Sequence, residues 1–125
     1  MLSRLIKSRN MIFVLVCATL IAVPVALAHS VPVTMTPAKD SVVTAPTKIS
    51  VVFSEALEPK FSSLELKDST GAVVSKEASV VDPANAKHQT LKLPTLAPGV
   101  YTVHWITTAL DGHRMEGAYN FTIKQ

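Results

Sequence analysis

Cysteine is almost missing from this chain of 125 residues: Cys17 is the only one. A single thiol excludes an internal disulfide and any metal cluster built on several thiolates. Excess positive charge is missing too, once position is considered. Three of the twelve Lys and Arg (Arg4, Lys7 and Arg9) precede residue 29, and the nine that follow meet nine Asp and Glu. Residues 29–125 therefore carry no formal net charge, which argues against nucleic acid or an acidic membrane surface as a partner. After Leu27 there is no second long apolar run, so stable membrane insertion of that part is not expected. Helical periodicity is nearly absent beyond residue 29, as are internal repeats and low-complexity stretches.

The N-terminus carries the pattern of a secretory signal. Arg4, Lys7 and Arg9 form a basic start, Met11 to Val23 is uncharged and mostly apolar, and Pro24 breaks the run. Ala26-Leu27-Ala28 then offers small residues at the two positions a signal peptidase inspects. An uncleaved anchor fits less well, because Met11 to Leu27 is 17 residues long and contains a proline. Lipoprotein processing at Cys17 needs a small residue before it, and Val16 is not small. The expected division is a cleaved signal at 1–28 and one small exported domain at 29–125. Cleavage leaves His29 first, with an α-amine and an imidazole on one residue.

Alternation replaces helical periodicity. Val31, Val33 and Met35 alternate, as do Ile49, Val51 and Phe53; Leu64 and Leu66; Leu91 and Leu93; Tyr101, Val103 and Trp105; and Tyr119, Phe121 and Ile123. A Val-rich stretch at 72–81 reads as one more strand. Turn signals at Thr36-Pro37-Ala38-Lys39-Asp40, Asp68-Ser69-Thr70-Gly71, Asp82-Pro83-Ala84-Asn85 and Pro98-Gly99 separate the runs. The expectation is an all-β, immunoglobulin-like antiparallel sandwich or barrel of about seven strands. Leu96-Ala97-Pro98-Gly99-Val100-Tyr101 resembles a tyrosine corner, in which the phenol ties a strand start to upstream backbone. The partner cysteine position of that motif holds Val103.

Strand parity locates a site. With His29 at one end, strands 31–35, 47–53, 62–67, 72–81, 88–93 and 100–108 alternate in direction. His29, Glu55 and Asp111-Gly112-His113 then share an end. Residues i and i+2 of an extended chain point to one side, so the Asp111 carboxylate and the His113 imidazole can face one ion. With the amine and imidazole of His29 the set is three nitrogens and one carboxylate oxygen. A tetragonal nitrogen and oxygen set favours Cu(II), and zinc fits the same ligands less tightly. Amine and imidazoles must lose protons to ligate.

Each piece has a plainer reading. Asp-Gly-His is also a turn, with the carboxylate accepting backbone N–H groups. Glu55 is either a solvated loop acid or an acceptor that orients His29. His104 faces opposite Tyr101 and Trp105, on a polar face. His88 sits by a turn and is expected to be exposed. Met35 reads as core. Met115 lies close to His113 and can approach a metal, but two scattered methionines do not make a thioether site.

Taken together these residues resemble the CopC family of periplasmic copper-binding proteins. The marks are His29, Thr36-Pro37-Ala38, Phe53-Ser54-Glu55, Leu96 to Tyr101, Val103-His104-Trp105, Asp111-Gly112-His113 and Gly117-Ala118-Tyr119-Asn120-Phe121. The resemblance runs through residues 29–125. It implies a seven-stranded Greek-key fold and one Cu(II) per chain, held by His29, Asp111 and His113 with Glu55 in support. It also implies a role in copper homeostasis or resistance. Some members bind Cu(I) in a Met-rich loop; here Leu66 to Val81 has neither methionine nor histidine, and the strand histidine that joins such a site is replaced near Val52. One Cu(II) site and no Cu(I) site is therefore expected. Members also act beside a CopD-type membrane copper importer, which here would be a separate chain. No oligomer interface is read, so a monomer is expected.

Two other classes compete. An N-terminal histidine brace also serves oxidative polysaccharide monooxygenases, although this domain is small for a polysaccharide face and Asp111 would fill a position oxygen chemistry needs open. A metal-free immunoglobulin-like interaction module is compatible with the fold alone. Blue-copper electron transfer is excluded from residues 29–125, which contain no cysteine.

Overall fold

The computed structural model describes residues 21–22 and 29–125. The expected signal at 1–28 lies otherwise outside the described residues. Among the described residues there are eight strands: β1 (Pro32–Thr36), β2 (Val42–Thr44), β3 (Lys48–Phe53), β4 (Ser63–Lys67), β5 (Val80–Asp82), β6 (Asn85–Lys92), β7 (Gly99–Thr108) and β8 (Arg114–Lys124). They form two four-stranded sheets, ordered β1-β3-β6-β5 and β2-β8-β7-β4. The core lies between them. Ile49, Val51 and Phe53 enter it from one sheet, and Val103, Trp105, Tyr119, Phe121 and Ile123 from the other. These are the alternating rows of the sequence, because a period of two sends every second side chain inward.

The sandwich differs from the sequence expectation at three places. The alternation Val31, Val33, Met35 does not form one inward row: Val33 is 64% exposed while Met35 packs on the core. Pro32 pairs with Phe53 but Thr34 pairs with Val52, so Val33 is an extra residue in a bulge that shifts the phase of the strand. The second place is β2, too short to show alternation, which pairs in parallel with β8. The chain reaches it by crossing sheets, held where Asp40 N–H donates to the Asn120 carbonyl at 2.7 Å.

The third is the Val-rich stretch at 72–81, of which only Val80–Asp82 is a ladder strand. Along β4 the acceptors are side-chain hydroxyls: Leu64 N–H donates to Ser79 Oγ at 2.9 Å and Leu66 N–H to Ser75 Oγ at 3.2 Å. Serine hydroxyls thus take the place of a neighbouring strand's carbonyls at this edge. His88 falls within β6 and is half-buried, not exposed as a turn residue, because the turn closes before Asn85. Its Nε2 lies 2.7 Å from Ser50 Oγ.

Strand parity survives these changes. β5 still runs against β6, and β6 against β3. The end of β3, the start of β6 and the end of β7 meet at one end of the sandwich. There Leu57 N–H donates to the Ala86 carbonyl and Glu58 N–H to the Thr108 carbonyl, both at 2.8 Å.

The tyrosine corner is present: the Tyr101 hydroxyl donates to the Ala97 carbonyl at 2.7 Å. Replacing Tyr101 by phenylalanine removes that one bond and is expected to cost about 1 kcal/mol. In a domain of this size that lowers Tm by about 4–8 °C, measurable by thermal unfolding; an unchanged Tm would deny the corner a stabilising role. The Tyr119 hydroxyl, by contrast, is buried without a hydrogen-bond partner among the described residues, and burial pushes its pKa well above the ordinary phenol value.

Candidate metal centre

The hairpin between β7 and β8 sets the first half of the site. Ala109 N–H donates to the His113 carbonyl and Gly112 N–H to the Ala109 carbonyl, both at 2.9 Å. Gly112 has φ +89°, a region that favours glycine. Asp111 Oδ1 accepts the His113 backbone N–H at 3.0 Å, so the turn reading of Asp-Gly-His holds. The other carboxylate oxygen lies 2.9 Å from His113 Nδ1. Backbone and imidazole N–H groups of His113 hold the Asp111 carboxyl below the usual carboxylate range, in that order of importance. The carboxylate is thereby kept ionised as pH falls. The turn and the Asp–His pair are one structure.

The second half comes from the segment before β1. Ser54 Oγ donates to the His29 carbonyl at 2.7 Å and accepts Val31 N–H at 3.1 Å. Ser30 is fully buried, its hydroxyl donating to the Glu55 carbonyl at 3.2 Å. The Ser30 carbonyl accepts the hydroxyl of buried Thr107 at 2.8 Å. Three hydroxyls therefore fasten residues 29–31 to the ends of β3 and β7. Thr107 continues the inward row Tyr101, Val103, Trp105. A hydroxyl on a core row needs a partner, and that is the sequence signal that could have found this clamp.

The clamp brings His29 to His113. Their ring centroids are 6.4 Å apart with planes inclined at 54°. His29 Nδ1 lies 3.4 Å from Met115 Sδ. Among the described residues no three His, Cys, Asp or Glu side chains converge on one point. The Asp111 carboxylate is turned to His113, and Glu55 contributes its backbone carbonyl to Ser30 rather than its carboxylate to His29. Glu55 and Asp111 do line one shallow depression, of about 200 Å³, with Ala56, Ala109 and Leu110. A larger open trough of about 470 Å³ runs beside β4, away from both histidines. His104 lies on the outer face of its sheet, opposite Glu65, as its alternation predicted. No helix among the described residues is long and apolar enough to cross a membrane.

The CopC domain family matches residues 32–124. Copper resistance protein C of Escherichia coli is 34% identical over 108 residues, covering 79% of this chain and 84% of that protein. Copper transport protein CutJ of Bacillus subtilis (strain 168) is 27% identical over 118 residues, covering 92% of this chain and 22% of that protein. The crystal structure of CopC from Methylosinus trichosporium OB3b superposes with a TM-score of 0.72 at 35% identity, covering 77% of this chain and 94% of that one.

Proposed function

Since this chain belongs to the CopC family, we propose that it is a periplasmic Cu(II) carrier or buffer whose site is completed when cleavage after Ala28 frees the amine of His29. Family membership places the protein among copper-binding proteins rather than enzymes, which sets the monooxygenase reading aside. One Cu(II) per chain takes the α-amine and Nδ1 of His29, an imidazole nitrogen of His113 and a carboxylate oxygen of Asp111. Glu55, at the rim of the depression, supports the His29 segment.

The observation that carries this reading is the approach of the two imidazoles. Rings on opposite sides of one ion, with each nitrogen about 2.0 Å from it, have centroids about 6 Å apart. The separation of 6.4 Å is of that order. The Asp111–His113 contact points the same way. Two ligands about 2.0 Å from an ion and at a right angle to each other lie about 2.8 Å apart. The observed 2.9 Å between His113 Nδ1 and Asp111 Oδ2 is close to that value, so an ion can replace the proton between them.

Delivery completes the proposal. The match to part of a much longer copper transport protein supports hand-over to a transporter, for which a separate CopD-type membrane partner is the natural form. The chain acts as a monomer.

Copper binding should stabilise the fold, because the ligands come from both ends of the sequence and meet only in the folded state. Free Cu(II) at a thousand times the Kd adds about 4 kcal/mol. Thermal unfolding of protein beginning at His29, with copper and then with excess chelator, tests this. A rise in Tm reversed by the chelator is expected; the same Tm in all conditions contradicts a native-state site.

A further inference from the structure

We propose that Met115 is a copper ligand, and that its thioether lets the His29–His113 site hold Cu(I) as well as Cu(II). This inference rests on the metal site proposed above. An α-amine and an imidazole on one residue close a compact chelate ring only through Nδ1. The atom facing His29 Nδ1 is Met115 Sδ, at 3.4 Å. Nitrogen and sulfur ligands at about 2.0 and 2.3 Å from one ion, subtending a right to tetrahedral angle, lie about 3.0–3.5 Å apart. The observed spacing falls inside that range. Without metal the same pair is an N–H···S contact.

The position of the sulfur is built into the fold. Met115 is half-buried at the start of β8 and packs on the core. Its cross-strand partner is Thr107, whose hydroxyl holds the Ser30 carbonyl at 2.8 Å. The residue that carries the sulfur and the residue that fixes the His29 segment therefore face each other across one ladder. His29 reaches both residues: its ring lies 6.4 Å from that of His113 and its Nδ1 3.4 Å from Met115 Sδ. The end of the sandwich thus offers two imidazoles and one thioether.

Thioether sulfur suits Cu(I), whereas towards Cu(II) it serves as a weak axial ligand. The expectation of no Cu(I) site is kept for the segment Leu66–Val81, which has no methionine, and is revised for the His29 end, where the structure sets a thioether beside two imidazoles.

The test uses protein beginning at His29, and its Met115→Leu variant, which keeps the apolar volume. Each is loaded separately with Cu(II), and with Cu(I) under anaerobic conditions against a Cu(I) chelator. X-ray absorption of the Cu(I) wild-type form is expected to show sulfur in the first shell. In Met115→Leu that sulfur is lost and Cu(I) affinity falls about tenfold or more, a larger loss than that of Cu(II) affinity, because towards Cu(II) the thioether is only a weak axial ligand. Wild-type protein that binds Cu(II) but shows no sulfur around Cu(I) overturns the role of Met115 and leaves the Cu(II) reading standing. Sulfur-bound Cu(I) without Cu(II) binding supports Met115 and overturns the Cu(II) reading. Binding of neither ion overturns both. Absence of sulfur around Cu(I) in wild-type protein overturns the role of Met115 even if the variant folds poorly.

Discussion

Gly117→Ala is expected to destabilise the domain by about 3 kcal/mol, the upper end of the usual cost of overpacking. A Cβ at Gly117 would lie 2.5 Å from Trp105 Cζ2 and 2.8 Å from Cε2. Gly117 and Trp105 are directly opposed on β8 and β7, so the indole lies across the bare backbone of its neighbour. The ring cannot simply swing aside. It is only 8% exposed and meets Phe53 edge-on at 5.9 Å, and Phe53 is itself buried in the facing sheet. Relief must come from a strand shift or an off-rotamer indole, and both disturb the core. For a domain of this size the loss lowers Tm by about 12–24 °C. Thermal unfolding followed by fluorescence of Trp105, the one tryptophan, measures it. Trp105→Phe removes the atoms that clash, so the two changes together should cost less than the sum of each alone. A Gly117→Ala protein that melts within about 2 °C of wild type would show that the indole has room to move.

The contact between Trp105 and Gly117 also shows what a sequence reveals and what it withholds. The rows Ile49-Val51-Phe53 and Tyr101-Val103-Trp105 are visible because the pleat forces a period of two, and both point inward as the alternation predicts. The bulge at Val33 is not visible, since a phase shift is set by ladder register and leaves no mark in residue type. Ser75 and Ser79 fall in the stretch 72–81 that reads as a strand, yet what they offer β4 is side-chain hydroxyls rather than a strand's carbonyls. β2 is a matter of tertiary context: three residues pair with β8 only because the chain crosses between sheets.

For the site, the joint location of His29 and His113 follows from strand parity, which the added β2 and the shortened β5 leave intact. The contact between His29 and Met115 does not follow from sequence. It depends on the buried Thr107 hydroxyl seizing the Ser30 carbonyl, a bond between residues far apart in the chain. Asp111 closes the turn with one carboxylate oxygen and meets the His113 imidazole with the other, so the turn does not use up the carboxylate.

The second large effect concerns the amine of His29. In the uncleaved chain this nitrogen is an amide and a poor ligand; only a chain that begins at His29 supplies it as a free amine. The side-chain and main-chain clamps around Ser30 and Ser54 hold residue 29 beside His113 in either case. Adding one residue before His29 therefore leaves the fold and both imidazoles in place and removes one nitrogen and its chelate ring. A Cu(II) titration of the two proteins, read by Trp105 fluorescence and electron paramagnetic resonance, isolates that difference. The protein beginning at His29 is expected to bind one Cu(II) with a nitrogen-rich tetragonal spectrum, and the extended protein to bind about a hundredfold more weakly. Equal affinity and identical spectra would contradict the account, since the ion would then owe nothing to the N-terminal amine.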